Sequence, residues 1–166
     1  MKFQLRHLVQ GALIAALYVL LTIIAAPISF GVVQLRVSEA LCVLPVLTPA
    51  AIPGLFLGCL LANFLGGAIL PDILFGSLAT LVAAWLAWQI SKKLPEKWGK
   101  YIAPLPAVVL NALTIGYLWA YVYGDGAELG FVLCALYVGA GQLLSCYGLG
   151  IPLLLVLERY GKRLFY

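Results

Sequence analysis

The sequence predicts an all-α integral membrane protein, a compact bundle of six transmembrane helices with a short second helix. Three observations carry that prediction. The 166 residues are 64% hydrophobic and only 10% charged, against about 25% charged in a soluble domain. The mean hydropathy is +1.09. The polar interruptions fall between apolar stretches long enough to span a bilayer, which takes about 20 residues. The length suits a single bundle over 1–166.

The first helix is expected over 8–26, ended by Pro27. Its apolar run is longer than the 7–15 residues of a signal-peptide core, so it reads as a span rather than a removable signal. Gly11 and Ala15, and Ala12 and Ala16, stand four apart and form a small-residue face. Such a face permits close helix contact, either inside the bundle or with another membrane protein.

Residues 27–37 are expected as a loop. Within it Gln34 and Arg36 alternate with Val33, Leu35 and Val37, so in extended backbone they share one face, as in a lid over a cavity. Helix 2, over 38–48, is too short to cross a ~30 Å core at 1.5 Å per residue. Pro45 cannot donate to the carbonyl of Leu41. Pro49 and Pro53 then break the chain before helix 3, over 50–66. There Gly54, Gly58, Ala62 and Gly66 recur every four residues, a ridge on which another helix can pack closely. Irregular backbone at membrane depth is tolerated when it is buried in protein or lines a cavity.

Helix 4 is expected over 73–91, rich in small residues, with Asp72 at its N-cap position. Trp85 and Trp88 suit the interface. A hydrophilic linker follows over 92–100, and helix 5 spans 104–123. Tyr117, Trp119, Tyr121 and Tyr123 read first as an interfacial belt, with one or two available to stack on a flat ligand. Gly124-Asp125-Gly126 is a tight turn. Helix 6, over 128–158, is longer than a span requires. Gly139, Gly141, Gly148, Gly150 and Pro152 are places for it to bend.

Every basic residue except Arg36 lies at the amino terminus, in the 92–100 linker or in the carboxyl tail. Basic segments stay cytoplasmic, so both termini and the linker are expected inside. The opposite face carries Arg36 against Glu39, Asp72, Asp125 and Glu128.

Among these polar residues the candidates for ligand contact are Gln34, Arg36, Glu39, Asn63, Asp72, Asn111, Glu128 and Gln142. Ionisable groups at membrane depth are costly and tend to be functional. Each has a plainer alternative: an Arg36–Glu39 ion pair that orders the loop, interhelical hydrogen bonds for the three amides, a cap for Asp72, and a helix-dipole contact for Glu128. Catalysis finds no support, because HExxH, GxSxG and the GxxxxGK[ST] phosphate loop are all missing. Cys42, Cys59, Cys134 and Cys146 form no CxxC pair and His7 stands alone, so a metal site is not expected. A net charge of +4, scattered over the chain, does not suit a nucleic-acid binder.

QLRVSEAL, LPVLTPAAIPGLFLGCLLAN and PDILFGSLATL resemble the queuosine-precursor transporter (QueT) family, strongly over residues 30–90 and loosely elsewhere. That family supplies substrate-binding S components of energy-coupling-factor (ECF) transporters. The resemblance implies an S component in the cell membrane that captures 7-aminomethyl-7-deazaguanine or queuine from outside. A transmembrane coupling subunit and two ATPase subunits would drive uptake. The chain itself needs no cofactor, since ATP is hydrolysed by the partners. Gly11, Ala12, Ala15 and Ala16 would form the docking face for the coupling subunit. Two other readings stay open: an S component for another vitamin-like molecule, and a non-transporting scaffold or lipid enzyme.

Overall fold

The computed structural model describes residues 5–29, 35–123 and 128–160, and these are helical nearly throughout. The helices are α1 (Leu5–Ile24), α2 (Ala26–Ser29), the 3-10 helix α3 (Val37–Val46), α4 (Ala51–Leu65), α5 (Asp72–Lys93), α6 (Glu96–Ile102), α7 (Leu105–Leu118) and α8 (Gly130–Tyr160). Among the described residues four stretches are long and apolar enough to cross a membrane: α1, α5, Lys97–Tyr123 and α8. The shorter α3 and α4 are apolar too.

α1 buries Gly11, Ile14, Ala15, Tyr18 and Thr22, spaced as one helical face. Its other faces expose Leu13, Leu17 and Leu20, as lipid contact requires. The chain continues past α1 into one further turn, α2, where a loop was expected. Pro27 is tolerated there because the first turn of a helix needs no N–H donor.

The segment expected as an α-helix over 38–48 is instead a 3-10 helix, and Pro45 lies inside it. The tighter winding has a rise of about 2.0 Å, so the segment reaches farther than an α-helix of equal length. Ser38 to Pro45 are all buried, which puts α3 at the centre of the bundle.

α4 carries the glycine ridge onto α1. A Cβ on Gly54 would lie 2.7 Å from the Gly11 carbonyl oxygen, and one on Gly58 would lie 2.7 Å from Tyr18 Cβ. The two backbones are therefore in contact, and only glycine fits at these points. Gly67 follows with φ +74°, a left-handed turn that favours glycine.

α5 begins with a π-helical turn, Asp72–Gly76. α7 runs on into another, Trp119–Tyr123, and α8 contains a third, Leu144–Gly150. The third lies in the glycine-rich stretch where a bend was expected. It packs against α3, where a Cβ on Gly150 would lie 3.0 Å from the Ala40 carbonyl oxygen. The hydrophilic linker is not extended chain throughout, because α6 forms within it. The expected turn at Gly124-Asp125-Gly126 lies outside the described residues.

Candidate functional site

Glu39, on α3, is buried with 1% exposure. Its Oε1 accepts a hydrogen bond from the Tyr18 hydroxyl at 2.5 Å. Thr22, one turn along α1, donates to the Tyr18 carbonyl at 2.8 Å, and its oxygen accepts from the Ser38 hydroxyl at 2.7 Å. Two polar groups of α1 are thus fastened to the start of α3. The Glu39 carbonyl is approached by Cys146 Sγ at 3.6 Å, and Cys146 also approaches Gln142 Oε1 at 3.7 Å. Gln142 is buried on α8.

Arg36 stands at the N-cap position of α3, with no side-chain cap bond, and is 3% exposed. Its Nη2 lies 3.7 Å from Asp72 Oδ2, which also accepts from the Tyr123 hydroxyl at 3.0 Å. The expected Arg36–Glu39 pair is therefore replaced by a longer-range pair to Asp72, while Glu39 is bound to Tyr18. Asp72 does not cap its helix either. No side-chain cap bond forms at that end of α5, because the carboxylate turns inward to Arg36 and Tyr123.

Asn63, fully buried on α4, donates through Nδ2 to the Asp72 carbonyl at 3.4 Å and approaches Cys59 Sγ at 3.6 Å. The carbonyl partner fixes the orientation of the amide and leaves Oδ1 facing away. Thr80 donates to the Gly76 carbonyl at 3.0 Å and approaches the same sulfur at 3.5 Å. Ser77 donates to the Ile73 carbonyl. Gly76 lies between these groups. A Cβ there would lie 3.2 Å from Asp72 Oδ1, 3.4 Å from Asn63 Nδ2 and 3.4 Å from Ile115 Cδ1.

Buried polar atoms nearly always find partners. Among the described residues Asn63 Oδ1, Asp72 Oδ1, Trp119 Nε1 and Ser145 Oγ have none. Asp72 and Glu39 surround a single Arg36, so the buried ionisable groups carry one negative charge in excess when all are ionised. An uncompensated charge in a dry interior is expensive. The cluster is chemically suited to a ligand that brings N–H donors and a positive charge.

Of the eight sequence candidates, Arg36, Glu39, Asn63 and Asp72 come together. Gln142 joins them through Cys146. Asn111 is buried on α7, four residues before Ile115 and hence on the same face. Glu128 is exposed in the turn before α8 rather than buried with the rest. Gln34 lies outside the described residues. Tyr18, at mid-span and four residues before Thr22, carries no motif that marks it in the sequence. In the sequence Trp119 and Tyr123 read with the interfacial aromatics. Tyr117 and Tyr121 are indeed exposed, but Trp119 is buried and stacks on Tyr123 with centroids 4.8 Å apart and planes at 17°.

The small-residue face of α1 divides. Gly11 and Ala15 are buried against α4, so internal packing accounts for them. Ala12 and Ala16 are exposed and line an apolar groove with Val19, Leu20, Leu57 and Leu61.

A family model described as QueT transporter matches residues 8–159. A curated relative, "Queuosine precursor transporter QueT" of Lactococcus lactis subsp. cremoris (strain MG1363), is 39% identical over 83 residues. The match covers 49% of this chain and 48% of the relative, so it spans about half the length of that protein. No solved structure matches the chain.

Proposed function

We propose, given that the chain belongs to the QueT transporter family, that it binds a queuosine precursor outside the cell and delivers it inward. The family is one of transporters rather than enzymes. The observation that carries the substrate reading is the pair of buried carboxylates, Glu39 and Asp72, on either side of Arg36, beside acceptors that lack partners. A 7-deazaguanine ring offers adjacent N1–H and N2–H₂ donors and a carbonyl acceptor. Its aminomethyl derivative adds an ammonium. Two acids serve these two donor groups, and the ammonium offsets the excess negative charge. Asn63, Asn111 and Gln142 supply further polar contacts, with Gln34 and Glu128 as the remaining polar candidates.

The proposed mechanism is that of an ECF S component. Six crossings place both termini and the 92–100 linker in the cytoplasm, and the site opens outward. The groove beside Ala12 and Ala16 receives the transmembrane coupling subunit, and two ATPase subunits drive reorientation. Support for this rests on the basic linker and tail and on the exposed half of the α1 small-residue face.

The test is equilibrium binding of tritiated 7-aminomethyl-7-deazaguanine and queuine to the protein in lipid nanodiscs. Glu39→Gln and Asn63→Ala are each expected to weaken binding at least ~30-fold, the scale for losing a buried ligand hydrogen bond. Wild-type affinity in both variants removes them from the site. Stabilisation by a different vitamin-like molecule in a thermal-shift screen, with none by either base, replaces the substrate while keeping the carrier. For coupling, Ala12→Trp is expected to abolish ATP-dependent uptake with partner subunits while binding by the isolated protein persists. Lost binding would instead assign Ala12 to internal packing.

A further inference from the structure

Trp119 lies one turn beyond Ile115 on α7, so the two share a face. Asp72 Oδ1, Asn63 Nδ2 and Ile115 Cδ1 all lie within 3.4 Å of where a Cβ on Gly76 would stand. The Trp119 ring stacks on Tyr123, whose hydroxyl donates to Asp72. This face of α7 therefore borders the Asp72–Asn63 corner. Three atoms in this region are buried without a hydrogen-bond partner among the described residues: the acceptors Asp72 Oδ1 and Asn63 Oδ1, and the donor Trp119 Nε1. Membrane-embedded polar groups have no bulk water to fall back on. The chemistry that answers two acceptors and one donor is a planar edge with neighbouring N–H groups and a carbonyl oxygen.

We infer that Trp119 is a specificity-determining residue: its indole N–H donates to the ring carbonyl of a guanine-type base whose N–H groups are accepted by Asp72 and Asn63. A base with an amino group in place of that carbonyl would set donor against donor and is turned away. The inference rests on the 7-deazaguanine reading. It assigns the ring edge to the Asp72 corner and leaves Glu39 for the charged substituent.

Competition binding in nanodiscs tests it. Tritiated 7-aminomethyl-7-deazaguanine is displaced by 7-deazaguanine and by 2,6-diamino-7-deazapurine, which differ only at the carbonyl position and its attendant ring proton. The full wild-type chain is expected to prefer the oxo base by ~100-fold or more, since a site built on hydrogen bonds discriminates strongly. Trp119→Phe, and replacement of Trp119 by the isosteric benzothienylalanine, are expected to shrink that preference at least ~5-fold, the remainder reflecting the ring proton that Asp72 and Asn63 accept. The empty benzothienylalanine variant should melt at or above the wild-type temperature, because an unpaired donor has been removed. A preference undiminished in both variants overturns the role of Trp119 and leaves the transporter reading intact. Equal wild-type affinity for the two bases does the same. Loss of affinity for both bases together with a lower melting temperature also overturns it, because that marks a packing role. A wild type that binds no deazaguanine overturns the substrate reading and this inference with it.

Discussion

α4 serves two regions built on opposite principles. Along Gly54 and Gly58 it closes on α1 so tightly that a methyl group has no room. At Asn63 it turns a carboxamide toward Asp72 and leaves an acceptor unused. In lipid, apolar surface alone gives helices little reason to associate, so close packing must hold the seam. The polar corner lies toward the other end of the same helix. Close packing and unsatisfied polarity are thus separated along one helix: the seam gains from having no side chains at its tightest points, and the corner holds polar atoms that have no hydrogen-bond partner among the described residues.

The sharpest way to break this division is Gly58→Leu. Its first side-chain carbon would fall 2.7 Å from Tyr18 Cβ and 3.1 Å from Ala15 Cα. Tyr18 is held by its bond to Glu39 and cannot swing aside freely. Overpacking of this kind costs about 3 kcal/mol or more. Little monodisperse protein is expected by size exclusion in detergent, and thermal unfolding should begin far below wild type. A variant that melts like wild type would mean that the seam yields, and the rigid half of the comparison would fail.

Asp72→Asn tests the other region, with a smaller expected loss. It removes one charge from the buried pair with Arg36 while the amide can still accept from Tyr123. Breaking a buried pair on one side costs several kcal/mol, and the retained hydrogen bond brings the expected loss to about 2–3 kcal/mol. Thermal unfolding of the ligand-free protein measures it. Tyr18→Phe should cost about 1.5 kcal/mol, the scale of a hydrogen bond to a charged group, because Glu39 loses the donor at 2.5 Å. A larger loss for Tyr18→Phe than for Asp72→Asn would place the main electrostatic burden at Glu39 instead of the Arg36 corner.

The seam was half legible. Four-residue spacing of Gly54, Gly58 and Ala62 announces a contact ridge, but nothing local says that α1 is the partner. The answer lay in Gly11 and Ala15, read as one face with Ala12 and Ala16, although a helix turns these pairs about 100° apart. Arg36, Glu39, Asn63 and Asp72 stood out because polar groups are rare in so apolar a chain. Their pairing did not, since Arg36 reaches a residue on another helix where a local rule offered Glu39. The 3-10 winding of α3 is consistent with the missing donor at Pro45, but the π turns left no mark that spacing could reveal. Trp119 was hidden among aromatics at the end of a span, where an interfacial tryptophan is the ordinary case. Only its neighbours distinguish it from Tyr117 and Tyr121.

The smallest expected effect comes from a second ion pair among the described residues, and it calibrates the rest. Lys100 on α6 and Glu158 on α8 approach to 3.2 Å with 19% and 26% of their side chains exposed. This contact is shorter than the 3.7 Å between Arg36 and Asp72, so distance alone would rank it the stronger. Burial argues for the reverse order of consequences. Water near Lys100 and Glu158 solvates whichever charge remains when the other is removed, and such pairs contribute about 0.2–1 kcal/mol. Arg36, at 3% exposure, has little access to that relief. Glu158→Gln is therefore expected to shift unfolding by no more than about 1 kcal/mol, with most of that difference erased by added salt, whereas the Asp72→Asn loss should persist in salt. Equal, salt-sensitive losses at both positions would place Arg36 in contact with water and take away the dry interior on which the open acceptors at Asn63 and Asp72 depend.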